Sequence, residues 1–331
     1  MIASLVLFVV LGLVLLGAAA ALTRRKLNSS SGQARTAGPG ADRKVLETVA
    51  QGLQALAEGR AHGARPLPDV HTVVHSGQRL TLRLAQADAA APSPWTSDVS
   101  GKEWSLDPAS LRSTGNSGGA PTHPYSLTVT LGLHRGDRVL VDLSQLPGPI
   151  ALTGDDNEVL RLAQAIITEV VSGPVGIHAT VVLVGSATTP SVTDGLGTRS
   201  ARLHTAATRK EALDHEDGVP SGAAPSGAAP SGAALSGIVP SAPAFQTSQT
   251  SQRYRNRGAA AGGTHARRLF VVTAAQYRDE RWGNAPLRET DALLVLGWIT
   301  DAEWHLGVNA DGSLDTGRLG VLVDTHTARF S

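Results

Sequence analysis

The sequence predicts an α/β protein. An N-terminal transmembrane helix leads into a mostly parallel sheet built round a βαβ unit, with a small β unit before it and a β hairpin at its end. Three observations carry this. Ile2 to Leu22 is an unbroken apolar run without a charge, and Arg24, Arg25 and Lys26 follow at once. Ile150 to Val184 reads strand, helix, strand, which implies parallel strands joined by a right-handed crossover. Thr180–Val184, Leu269–Thr273 and Leu293–Leu296 are short continuous apolar runs of the kind buried on both faces of a sheet.

A helix rises about 1.5 Å per residue, so a run of this length spans a bilayer core of about 30 Å. Basic residues flanking a membrane span stay on the cytoplasmic side. The expectation is therefore a cell-membrane anchor over residues 1–26, single-pass, N-terminus out, with the soluble part in the cytoplasm. Ala18-Ala19-Ala20 has the small residues of a signal-peptide cleavage site, but a signal peptide carries its charge before a shorter apolar core.

Residues 27–41 read as a polar linker. Residues 42–124 hold an amphipathic helix and the small β unit. Val45, Leu46, Val49, Leu53 and Leu56 recur at helical spacing over 42–60, with Asp42 as cap. Val70, Val73 and Val74 precede a turn at Ser76-Gly77, and Leu80, Leu82 and Leu84 alternate as a strand, with Trp95 and Trp104 in its core.

Residues 125–217 and 265–331 form the main domain, interrupted by 218–264. In that insertion PSGAA repeats three times from Pro220, a composition that builds no core and predicts disorder. Leu127–Leu131 and Val139–Leu143 alternate about a turn at His134–Asp137. Ile150–Thr153 is a buried strand, and Gly154–Asn157 opens a helix to about Val171. Ala201–Thr205 and Thr208–His215 read as a strand and a short helix. Trp304–Val308, the turn Asp311-Gly312 and Leu319–Val323 close the chain as the hairpin.

A formal charge of +1 and 4% aromatic residues give neither the basic footprint nor the stacking platforms of a nucleic-acid binder. Absence of cysteine removes disulfides, thiolate catalysis and Cys-based zinc sites.

Over Leu127–Val171 the strand pair G-L-x-x-G-D-x-V-L-V-D-L, then P-x-x-I-A-L-T-G, then a helix, resembles the opening of the ATPase core of bacterial DNA translocases and type VII secretion ATPases. It also resembles a region of large actinobacterial membrane proteins. In the translocase core the βα turn is a phosphate loop, G-x-x-x-x-G-K-[ST]. Gly154 stands for its first glycine, but Val159, Leu160 and Arg161 occupy the positions of Gly, Lys and Ser/Thr. Asp155, Asp156 and Glu158 sit where phosphate would bind, and carboxylates repel it there. The resemblance implies a degenerate P-loop-like domain without nucleotide binding.

Three further motifs are weak. Gly115-Asn116-Ser117-Gly118-Gly119 matches G-x-S-x-G but lacks the strand and helix of a nucleophile elbow. His71 and His75 have the spacing of a helical metal pair, but the β-branched run between them predicts a strand, which holds them about 13 Å apart. Arg253, Tyr254, Arg255, Arg257, Arg267 and Arg268 read as a basic patch at the end of the insertion, either a solubilising flank or a surface for anionic headgroups or nucleic acid. No catalytic, cofactor-binding or metal residue is assigned. The expected function is a non-catalytic, membrane-anchored interaction or scaffolding protein with a protein partner. The rival readings are a nucleotide sensor or ATPase-like enzyme at the βα turn, and an extracytoplasmic cell-wall-associated domain.

Overall fold

Fourteen strands hydrogen-bond into one mixed sheet in the order β3-β4-β2-β1-β6-β5-β14-β13-β12-β7-β11-β10-β8-β9. The structure, a computed structural model, describes residues 39–111, 124–189, 192, 201–214 and 267–325. The chain divides into two units, Met1–Asp42 with Ser331 and Arg43–Phe330, and the sheet belongs to the second. Helix α1 (Pro39–His62) enters it at Arg43 and is followed by β1 (Val70–Ser76), β2 (Arg79–Leu84), β3 (Thr96–Ser97) and β4 (Glu103–Leu106). The one-turn α2 (Pro108–Leu111) precedes β5 (Thr128–His134), β6 (Asp137–Asp142) and β7 (Pro149–Gly154). Then come α3 (Asp156–Ser172), β8 (Ala179–Val184), β9 (Leu203–Ala206), α4 (Arg209–Asp214), β10 (Arg267–Thr273), α5 (Ala274–Asp279) and β11 (Ala292–Leu296). The meander β12 (Trp304–Val308), β13 (Ser313–Asp315) and β14 (Leu322–Asp324) ends the described chain.

The mostly parallel sheet expected from the sequence is not the one observed. Eight strand pairings among the described residues are antiparallel, and five are parallel. Short connections account for part of this, because strands joined by two residues can pair only antiparallel. Arg135 and Gly136, both at positive φ, turn β5 into β6, and Gly77-Gln78 turns β1 into β2. The small β unit is therefore not a separate body: β1 pairs with β6 and merges it into the main sheet. Nor is the C-terminal hairpin an appendage, since β14 reaches back to β5. The parallel strands are confined to the six from β12 to β9. Within them β7 and β8 run parallel, as the βαβ pattern requires, but β11 and β10 lie between them.

The expected N-terminal transmembrane helix has no counterpart in this architecture. Among the described residues no helix is long and apolar enough to cross a membrane. The run Ile2–Leu22 lies outside those residues, as do the linker up to residue 38, the insertion 218–264 and the Gly115–Gly119 motif.

Three apolar clusters hold the layers. Helix α3 places Val159, Leu162, Ile166 and Val170 against Leu152, Leu183, Val271, Leu294 and Leu306 on one face of the sheet. Helix α1 seats Leu46, Val49, Leu53 and Leu56 with Leu80, Leu82, Trp95, Trp104 and Leu140. Tyr277 of α5, Ala212 of α4 and Trp282 cover Phe270, Val182, Val295 and Ala151. Trp104 is fully buried and its Nε1 donates to the Asp88 carbonyl at 2.6 Å. Trp104→Ala removes both the ring and a buried hydrogen bond, so it costs about 3–5 kcal/mol, read as a lower urea midpoint for unfolding.

Candidate functional site

Ligands on open α/β sheets bind beyond the carboxyl ends of the parallel strands. In this sheet that rim comprises Gly154 at the end of β7, Gly185 after β8, Thr273 at the end of β10, Gly297 after β11 and Asn309 after β12. The turn after β7, where the sequence places its degenerate phosphate loop, is closed on itself. Gly154 has φ +116°, and a Cβ there would lie 2.0 Å from the Val308 carbonyl oxygen, so only glycine fits. The Asp155 amide donates to that same oxygen at 2.9 Å. The Asp155 carboxylate then caps α3, accepting from the Asn157 and Glu158 amides at 3.1 Å each. Glu158 is buried and pairs with Arg161, the residue that stands where a P-loop has Ser or Thr. The first-turn amides that would receive a phosphate are already given to a side chain of the turn.

Across the rim, Ser186 Oγ and Thr273 Oγ1 lie 2.8 Å apart, and Thr273 caps α5. Gln276 packs on Gly185 and donates to Glu280 at 2.8 Å, which leaves its buried Oε1 without a partner. Tyr277 donates to Asp301 at 2.5 Å. Burial, and then the Asp301 carboxylate, push the Tyr277 phenol above its ordinary value, so it stays a donor and pins the segment after β11. In that segment Trp298 stacks on His305, with centroids 4.4 Å apart.

Further buried polar ties lie away from this rim. Arg268, at the start of β10, forks onto Asp291, just before β11, with bonds of 3.2 and 2.7 Å. Arg267 donates to Ser144 Oγ, and Ser144 is held by Asp142. Burial raises the Asp142 carboxyl above its ordinary range; the Arg267 charge and the Ser144 hydrogen bonds oppose that shift. Glu169 of α3 accepts from the Thr130 amide and hydroxyl, and Arg138 donates to the same hydroxyl at 3.2 Å.

This corrects the basic patch expected from the sequence. Arg267 and Arg268 are interior ties of β10 rather than members of a surface cluster, and residues 253–257 lie outside the described part. His71 and His75 both lie on β1, with an irregularity in register at Val70/Thr72. Among the described residues no three His, Asp or Glu side chains gather as a metal site. No motif in the sequence marks Gln276, the Trp298–His305 stack or the Arg268–Asp291 fork. Arg268 and Asp291 are 23 residues apart and carry no motif.

Two consequences are measurable. Burial depresses both His71 and His75 below the ordinary value of 6.5. Each is therefore favoured neutral in the folded chain. The stability this contributes is present above pH 6.5 and is lost as pH falls through the lowered folded values. The H71Q/H75Q chain should show a shallower decline in melting temperature across that acid window than the wild type. The Arg268–Asp291 pair has side chains only 5% and 0% exposed. Asp291→Ala removes the carboxylate on which the buried Arg268 guanidinium forks and costs about 3–5 kcal/mol, whereas R268M/D291L costs far less; chemical denaturation of the two variants reads the difference. Comparison of the chain with known protein families, with curated proteins and with solved structures gives no match.

Proposed function

We propose that the chain is a non-catalytic interaction or scaffolding protein, held at a membrane by the apolar run 2–22, whose βα turn is occupied by its own carboxylate. The observation that carries this reading is Asp155. Its side chain takes two first-turn amides of α3, while its own amide is spent on the Val308 carbonyl. A nucleotide held by backbone amides alone, the rival reading, would have to displace that cap. It would also bring a polyanion beside Asp155, Asp156 and Glu158. Catalysis by the rim's hydroxyls would need a base within hydrogen-bond reach of Ser186 or Thr273, whereas these two hydroxyls share one hydrogen bond with each other and neither is a base for the other.

Titration of the full-length chain with Mg-ATP and Mg-GTP in a calorimeter should give no saturable heat, and neither nucleotide should be turned over. Asp155→Ala should lower stability by about 1 kcal/mol through the lost cap, without creating nucleotide binding. Micromolar binding of either nucleotide by the wild type would overturn the proposal.

A further inference from the structure

Among the described residues, large exposed apolar side chains are few: Val99, Trp298 at 61% and Leu322 at 60%. The last two lie on one strip of the sheet. Cross-strand partners project to the same face. Thr153 pairs with Gly307, Gly307 with Asp315, and Asp315 with Leu322, which makes one row across β7, β12, β13 and β14. His305 pairs with Ala151, whose methyl belongs to the cluster under α5, so this row is on the α5 face. On the far side, Asp324 pairs with Leu133 and Leu133 with Arg138, two residues from Leu140 in the cluster under α1. The same face is thus covered by α1 at one end and by α4 and α5 at the other. Between them no described helix covers β12, β13 and β14, whose opposite side chains Leu306, Val308, Leu314 and Val323 are buried.

Three strands about 4.8 Å apart leave a gap close to the width of one helix, about 10–12 Å. Gly307 gives the strip a low floor: the nearest atom to a Cβ placed there is 4.0 Å away. Trp298, stacked on His305, stands as one wall and Leu322 lies beyond. Exposed carboxylates on the strip include Asp315, whose Oδ1 also accepts from the Gly317 amide, and Asp324, and the exposed Glu303–Arg318 pair stands beside them. We propose that this strip docks an amphipathic helix of a partner protein, apolar toward Trp298 and Leu322 and basic toward Asp315 and Asp324. The proposal names the surface for the interaction role of the chain and rests on that reading. The helix supplies the layer the sheet lacks, and the two carboxylates select for Lys or Arg on its flanks.

The test uses the full-length chain in phosphatidylcholine nanodiscs. Trp95, Trp104, Trp282 and Trp304 are buried, so acrylamide quenching reports mainly Trp298, and Trp298→Phe removes that component. The probes are an 18-residue Leu/Lys amphipathic helical peptide and its Leu/Glu counterpart. The Leu/Lys peptide should saturably protect Trp298, the Leu/Glu peptide should not, and D315N/D324N should weaken protection about tenfold. Leu322→Ser should weaken it comparably, and both variants alter exposed groups, so circular dichroism should be unchanged. Equal protection by both peptides, none by either, or full protection of D315N/D324N would overturn the proposal. Such a failure would leave the interaction role standing; nucleotide turnover would end that role whatever the peptides do.

Discussion

β12 is the strand on which the architecture turns. It is parallel to β7 along one edge and antiparallel to β13 along the other, and every other strand lies to one side or the other of that junction. Its last carbonyl, that of Val308, also receives the Asp155 amide and blocks any side chain at Gly154. The hydrogen bonding that makes one sheet of two halves therefore also seals the turn where a related topology would admit a phosphate. A change that reopened the turn would have to loosen β12 from β7, and so loosen the sheet.

Buried polar groups tie the same two halves together elsewhere. The Asp142–Ser144–Arg267 chain links the end of β6, in the antiparallel half, to the start of β10, in the parallel half. The Glu169–Thr130–Arg138 contacts tie α3 to β5 and β6. Ionic groups out of water add little net stability over well-packed apolar residues, but breaking one partner is costly. Their effect is on which arrangement forms: a register slip of β10 that carried Arg267 away from Ser144 would strand a guanidinium. Arginine suits both positions, since Arg268 uses its fork on Asp291 while its plane lies 4.9 Å from the Phe270 ring.

Much of the local structure was legible in the residues. Leu127–Leu131, Val139–Leu143 and Ile150–Thr153 largely coincide with β5, β6 and β7, and the α3 stripe of Val159, Ile166 and Val170 packs as its period implies. Trp95 and Trp104 plug the core beneath α1. The sheet's overall sense was not legible. Period and run length say whether a residue is in a strand and which faces are buried, not which strand lies beside it. TVVLV and LFVVT are neighbours in the sheet, with Val181 opposite Leu269, although β9, α4 and the whole insertion intervene in the chain. The helix read over 42–60 runs on to His62 in α1, where Leu53 and Leu56 are docked one to three turns before its end. At the site, the carboxylates of the βα turn were visible as a repulsive element. That one of them caps the helix depends on the extended backbone of Asp155, which Gly154 sets and no motif records.

A sheet with helices on its faces has two kinds of surface for recognition: the rim at the strand ends and any face left without a layer. In this chain the rim after β7 has little to offer, because its amides are matched internally and its charge is negative. The face over β12–β14 is the reverse case. Its strands are joined through their ladders, and its side chains include an exposed tryptophan and leucine beside two carboxylates. Burying apolar area there costs no ladder hydrogen bond and leaves the junction with β7 intact. Recognition by the face is thus compatible with the closed turn, whereas recognition at the rim would work against it. That asymmetry is the physical ground on which the proposed binding role rests.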